Sequence, residues 1–218
     1  MITVYNKEDL HRHLEELRPE GYVMNKYGQY LKRDEDNNST VILSFGMSEH
    51  FPFGVNFSGF AIDVIFHEVE DIIHSVYNNH TGLEWYHERD NSTYGKSFAH
   101  DVLGRDFILG YVYGVLVEDD ASFARVRPHL QTMQDAGLDF LRQHESLRDF
   151  YDFAQDLASQ ENALFYGNKA SVKRLVVRKL LNIPYDTLHT RYLSKNQALN
   201  RSEEVAFLQD LKTHLDNL

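Results

Sequence analysis

The chain of 218 residues contains no cysteine, which excludes disulfide bridges, thiolate nucleophiles and cysteine-bound zinc. No apolar run approaches membrane-spanning length. The first residues, Met1-Ile2-Thr3-Val4-Tyr5-Asn6-Lys7-Glu8-Asp9, have no basic stretch leading into an apolar one. No signal peptide is therefore expected, and the cytoplasm is the default compartment. The triplets Asn38-Ser39-Thr40 and Asn91-Ser92-Thr93 are then chance matches to a glycosylation signal. Phosphate-binding glycine loops, a dinucleotide fingerprint and a nucleophile elbow are missing too; Gly46-Met47-Ser48-Glu49-His50 lacks the second glycine. These absences remove kinases, P-loop enzymes and Rossmann enzymes from consideration. Neither an internal repeat nor a low-complexity stretch occurs.

What the chain does have is negative charge and aromatic rings. Acidic residues number 33 against 22 basic ones, a net charge of −11, which repels the phosphate backbone and argues against nucleic-acid binding. The same balance favours a basic partner or a bound cation. Phe and Tyr number 14 and 13 against a single Trp, a content suited to half-buried sheet faces or a groove. The length suffices for one sizeable core. A single compact domain over 1–218 is expected, with a possible subdivision into a sheet-bearing part, 1–120, and a helical part, 121–218.

The pattern along the chain predicts an α+β fold: an antiparallel, aromatic-rich sheet in the N-terminal half with flanking helices, then a helical C-terminal half. Asn6 is placed to cap a helix carrying Leu10, Leu14 and Leu17, which Pro19 and Gly21 end. A strand or bent pair is expected over 22–33, a hairpin turn over 34–39, and a strand over 40–45. A loop over 46–50 leads to Pro52. Then Phe53, Val55 and Phe57 alternate with Gly54, Asn56 and Ser58, the clearest period-two signal in the chain. The apolar run continues to Phe66, where the period changes to that of a helix ending near Tyr77. The run 107–117 reads as a central strand. Beyond Glu118-Asp119-Asp120 all is helical: Pro128 suits a helix start, Ser146 and Asp149 suit a capping box, 170–181 is strongly helical, Pro184 starts the next segment, and a last helix opens at Asn200 or Ser202.

One local cluster points to chemistry. His67, Asp71 and His74, with Asn78, fall on one side of the expected helix, with Val69, Ile72, Ile73 and Val76 opposite. Two imidazoles and a carboxylate at spacings of four and three could bind a divalent metal such as Zn²⁺, Mn²⁺ or Fe²⁺. The same spacing describes a solvated helix face, and the pattern departs from that of zincins, whose second His stands where Asp71 does. His80, His87 and His100 are further candidates to complete such a site. Trp85, Tyr86 and His87 group aromatic and ionisable side chains as a ligand- or partner-binding surface would. His11 and His13, two apart, point to different sides of their helix. Arg174 and Arg178 could clamp a carboxylate or phosphate, although a narrow exposed rim, including Lys173 and Lys179, paired to the acidic body accounts for them better.

Over roughly residues 10–77 the layout resembles small bacterial domain-of-unknown-function families, some of them immunity proteins of polymorphic toxin systems. The resemblance is carried by the N-terminal helix, Gly21-Tyr22, the strand Tyr27-Gly28-Gln29-Tyr30-Leu31-Lys32-Arg33, and the segments Val41-Ile42-Leu43-Ser44-Phe45 and Phe53-Gly54-Val55-Asn56-Phe57. Such families have no agreed catalytic residues to carry over, and the reading favoured is non-enzymatic, with no cofactor other than the divalent metal considered above. The expectation is an acidic domain that binds another, basic protein, with an immunity or accessory role and neither nucleic acid nor membrane as partner. Two alternatives stay open: a metal-dependent hydrolase centred on His67, Asp71 and His74, and a small-molecule sensor using the aromatic sheet face.

Overall fold

The computed structural model describes residues 5–80, 82–83, 92–98, 115–156 and 170–218. A capped helix comes first. Asn6 Oδ1 accepts from the backbone N–H of Glu8 and Asp9 at 2.8 and 3.1 Å, and Asp9 accepts from the Asn6 N–H, closing a capping box on α1 (Lys7–Glu16). Four strands follow: β1 (Val23–Met24), β2 (Tyr30–Asp34), β3 (Ser39–His50) and β4 (Gly54–Phe66). β4 passes directly into α2 (His67–Tyr77), and two short strands come next, β5 (Tyr94–Ser97) and β6 (Val115–Val117). The rest is helical: α3 (Asp120–Gln143), α4 (Leu147–Asp156), α5 (Ala170–Leu180), α6 (Asp186–Ala198) and α7 (Ser202–Asp216).

The fold is therefore α+β, as the sequence pattern predicts. The strands form one sheet in the order β1-β2-β3-β4-β5, with β6 also paired to β4. β1 and β2 run antiparallel with Val23 opposite Leu31; β4 and β6 run antiparallel with Val55 opposite Val117. Among the described residues no helix is long and apolar enough to cross a membrane.

Two details depart from the sequence reading. The expected loop over 46–50 is strand: β3 runs on to His50, and the chain reverses at 51–53, where the Phe51–Pro52 bond is cis. Pro128 stands inside α3 rather than at its start, because Asp119 caps the helix eight residues earlier than Pro128 would allow, in a capping box with Ser122. A proline there withholds one donor from the helix ladder, but Ala124 and Pro128 are both exposed, so water can serve the released carbonyl. Of the expected strand 107–117, residues 115–117 form β6 and the remainder lies outside the described residues.

By internal packing the chain divides into two units, each assembled from separate stretches. The first takes described residues within Met1–Asp34, Thr40–Asp63 and Lys96–Glu145. Its core is aromatic: Phe45 packs on Tyr30, Phe57 and Phe60, and Phe98 joins Phe60 to Phe140 of α3. Phe57 and Phe60 sit three apart yet share Phe45, so they lie on one face. An extra residue between them is required, the signature of a β-bulge. Burial agrees, with Val55 and Phe57 buried, then Phe60 and Ile62. Tyr30 donates to the Leu14 carbonyl at 2.7 Å and Gln134 to that of Leu17 at 2.9 Å, tying α1 to the sheet and to α3.

The second unit takes described residues within Glu35–Ser39, Val64–Gly95 and Ser146–Leu218. Phe66, Tyr94 and Phe150 pack mutually, with centroids 5.1 to 6.1 Å apart. α4 begins in the expected capping box, Ser146 N–H donating to Asp149 and Asp149 N–H to Ser146 Oγ. The apolar side of α2, namely Val69, Ile72, Ile73 and Val76, is buried, and so are Val172 and Leu175 of α5 and Phe207, Leu208, Leu211 and Leu215 of α7.

Candidate functional site

The α2 helix has the sidedness its sequence demands. Asp71 and Asn78 are exposed and His67 and His74 half-buried, while the apolar residues opposite are inside. Among the described residues, however, no three His, Asp or Glu side chains are grouped as a metal ion requires. His80 faces Asp210 at 2.9 Å and lies edge-on to Phe207. Trp85, Tyr86 and His87, the expected partner surface, lie outside the described residues, as does His100.

The basic stretch of α5 is not the exposed rim that its composition allows. Lys173 is 0% exposed and ion-paired at 3.1 Å with Glu70, itself 4% exposed. Lys173 Nζ also donates to the Ser92 carbonyl, and Thr93 Oγ1 donates to Glu70 at 2.9 Å. Thr93 Oγ1 in turn accepts from the Phe66 N–H, where β4 gives way to α2. These bonds compensate two desolvated charges, so the network fixes α2 against α5. Arg174 is buried as well.

A site that sequence reasoning missed lies where α1 meets the start of α3. His13, on the Leu10–Leu14–Leu17 stripe, is buried and stacks on Phe123 with centroids 3.9 Å apart. Its Nε2 faces Asp120 Oδ1 at 2.8 Å and its Nδ1 faces the Tyr5 hydroxyl at 3.0 Å. A carboxylate only accepts, so Nε2 carries a proton; in the neutral ring Nδ1 then accepts from Tyr5. Arg12 Nη2 donates to the same Asp120 oxygen at 2.7 Å and to Asp9 at 3.1 Å. The one signal in the sequence is that His13 falls on an apolar stripe; nothing local reveals Asp120 as its partner.

Above this network lies a cleft of about 240 Å³ lined by Tyr5, Asp9, Arg12, Glu118, Asp119, Asp120 and Ala121. Four carboxylates there surround one guanidinium. Hydrogen bonds from Arg12 and then His13 hold the Asp120 carboxyl below its usual range, and bonds from Ser122 do the same for Asp119. Both therefore stay ionised at neutral pH, as suits the positive end of α3. Burial, with Asp9 second, pushes the Tyr5 hydroxyl up to about 12. Tyr5 thus remains a donor and is no nucleophile at neutral pH. The cleft can offer negative charge and hydrogen-bond acceptors to a cation.

Large apolar side chains stand close in sequence to residues that line or pack on the cleft. Tyr5 stacks on Phe51 at 6.2 Å, and the turn continues to Phe53, which is 74% exposed although the strand pattern would place it with buried Val55 and Phe57. Leu116, 41% exposed, lies over Gly54 and stands two residues before Glu118. Compared with protein-family models, curated proteins and solved structures, the chain matches none.

Proposed function

We propose that the chain is a non-enzymatic, acidic protein-binding domain of bacterial type, with an immunity or accessory role, and that it engages a basic segment of another protein. The observation that supports this reading is the carboxylate-lined cleft between α1 and the start of α3, whose Tyr5 stacks on Phe51 two residues before exposed Phe53 and whose Glu118 follows exposed Leu116 by two residues. Large exposed apolar side chains beside fixed charge are the composition of a docking surface: the apolar part supplies affinity, the charge supplies rate and selectivity. An arginine or lysine inserted among Asp9, Glu118, Asp119 and Asp120 would meet three more negative charges than positive ones.

The test is shift mapping by NMR with an arginine-containing peptide that also carries leucine or phenylalanine. Perturbed amides are expected at Phe53, Leu116 and 118–121. Perturbation confined to other surfaces, or an equal response to a glutamate-containing peptide of the same length, would remove the proposal.

A further inference from the structure

A buried titratable group stands directly behind the docking surface. His13 is 1% exposed, and both of its ring nitrogens face residues that line the cleft: Nε2 faces Asp120 Oδ1 at 2.8 Å and Nδ1 faces the Tyr5 hydroxyl at 3.0 Å. Histidine is the side chain whose charge ordinarily changes between about pH 5 and 8. A second proton leaves the first contact as it stands, because Nε2–H already donates to Asp120. It reverses the other: Nδ1–H becomes the donor and the Tyr5 oxygen the acceptor, a role that a phenol can take. The ring can therefore gain charge without opening the contact between α1 and α3, and its stacking on Phe123 tolerates a cation. What changes is the cleft. A positive charge stands behind Asp120, and the hydroxyl hydrogen of Tyr5, displaced from the ring, turns toward the cleft that Tyr5 lines.

We propose that His13 is a proton sensor for this surface: a basic segment held at neutral pH is released in acid, when the imidazole becomes a cation. The inference rests on the reading of the cleft as the site that engages a basic partner. A cation added behind the lining carboxylates opposes an incoming arginine or lysine, and a Tyr5 hydroxyl turned outward replaces an acceptor by a donor. The charged and titratable groups about the ring come from both sides of the contact. Asp120 of α3 and Tyr5 of the segment before α1 touch it, and on α1 itself Arg12 shares the Asp120 oxygen and also binds Asp9. Farther along, Arg127 of α3 pairs with Glu16 of α1, and the turn at 51–53 brings the Phe51 ring onto Tyr5. Hydrogen bonds from Ser122 and from Arg12 hold the carboxyls of Asp119 and Asp120 below their usual range, so neither accounts for a change between neutral pH and mild acid.

The experiment measures the affinity of the intact chain for a peptide of arginine and leucine with both ends blocked, which itself has no group titrating in the histidine range. It is run at one ionic strength, at about pH 7.5 and about pH 5.5. Wild type is expected to bind about tenfold more weakly at the lower pH, and His13→Gln, which cannot take the second proton, to bind about alike at both. NMR of the His13 ring nitrogens in wild type gives a reading that needs no variant. The ring should gain its second proton within this range in the free chain, and added peptide should move that step to lower pH, because the coupling of proton and partner is reciprocal. Equal wild-type affinity at both pH values, a pH step that persists in full in His13→Gln, a His13 ring that keeps a single proton throughout, or a step that the peptide does not move would each overturn the sensor and leave the docking surface standing. Absence of binding at neutral pH would overturn the docking reading and this inference with it.

Discussion

Lys173 and Glu70 show how much one buried pair can govern. Each is desolvated, and each charge is tolerable only because the other, with Thr93 and the Ser92 carbonyl, replaces lost water. Replacing Lys173 by Met strands the Glu70 carboxylate and is expected to cost about 3–5 kcal/mol, read from the urea midpoint. The double variant Lys173→Met/Glu70→Leu should recover most of that loss, because two apolar side chains leave no uncompensated charge. An additive double variant would contradict the pairing. Neither partner was legible in the sequence. Glu70 reads as an acidic residue on a helix with a solvated side, and Lys173 as one cation in a basic run. What buries them is a contact between distant stretches, and no local period records it. The partnership of His13 with Asp120 escaped notice for the same reason, whereas the Asn6 cap and the Ser146–Asp149 box were legible because a cap and its donors lie within four residues.

Elements packed face to face impose constraints that their own propensities oppose. Gly137 sits within α3, where alanine would ordinarily be favoured by about 1 kcal/mol. Yet a Cβ at this position would come within 2.6 Å of Phe60 Cε1 and 3.2 Å of Ile62 Cδ1. Gly137→Ala is therefore expected to destabilise, by about 1–3 kcal/mol, because a ring in a packed core must move. A stabilised variant in chemical denaturation would show that the helix does not press on β4 as described. Gly46 explains the misread loop in similar terms. Glycine beside polar residues signals a turn, but a Cβ on Gly46 would meet Ser58 Oγ at 2.8 Å, so the glycine admits a neighbouring strand. The antiparallel sheet, the β4-to-α2 transition and the helical second half were legible, since each rests on a period of two or 3.6 within a short window.

Over the whole molecule, tyrosines and carboxylates set the pH limits of the fold. Burial raises the hydroxyls of Tyr5 and Tyr22 to about 12 and displaces those of Tyr30 and Tyr94 further in the same direction. A group with a raised folded pKa binds its proton more tightly in the folded state. Its contribution is complete below the unfolded value, near 10, and is lost as pH rises toward the folded one. The share of tyrosinate absorbance due to these four rings is thus expected to appear together with the loss of circular dichroism, in one alkaline transition; ionisation of these four rings in a still-folded chain would contradict their burial. On the acid side, the depressed carboxyls of Asp119, Asp120 and Asp216 contribute fully above the usual carboxylate range and lose that contribution as pH falls through their folded values.

The proposed docking surface belongs to this scale, because it joins the four carboxylates of the cleft to exposed Leu116, two residues before Glu118, and exposed Phe53, two residues after the Phe51 that stacks on Tyr5. The decisive quantity is the affinity for a basic, leucine-bearing peptide, measured for wild type, Glu118→Lys and Phe53→Ser at low and at physiological ionic strength. Glu118→Lys should weaken binding about tenfold or more and flatten its dependence on salt, whereas Phe53→Ser should weaken it and leave that dependence intact. Affinities unchanged by both substitutions at either ionic strength would contradict the assignment of this surface to protein binding.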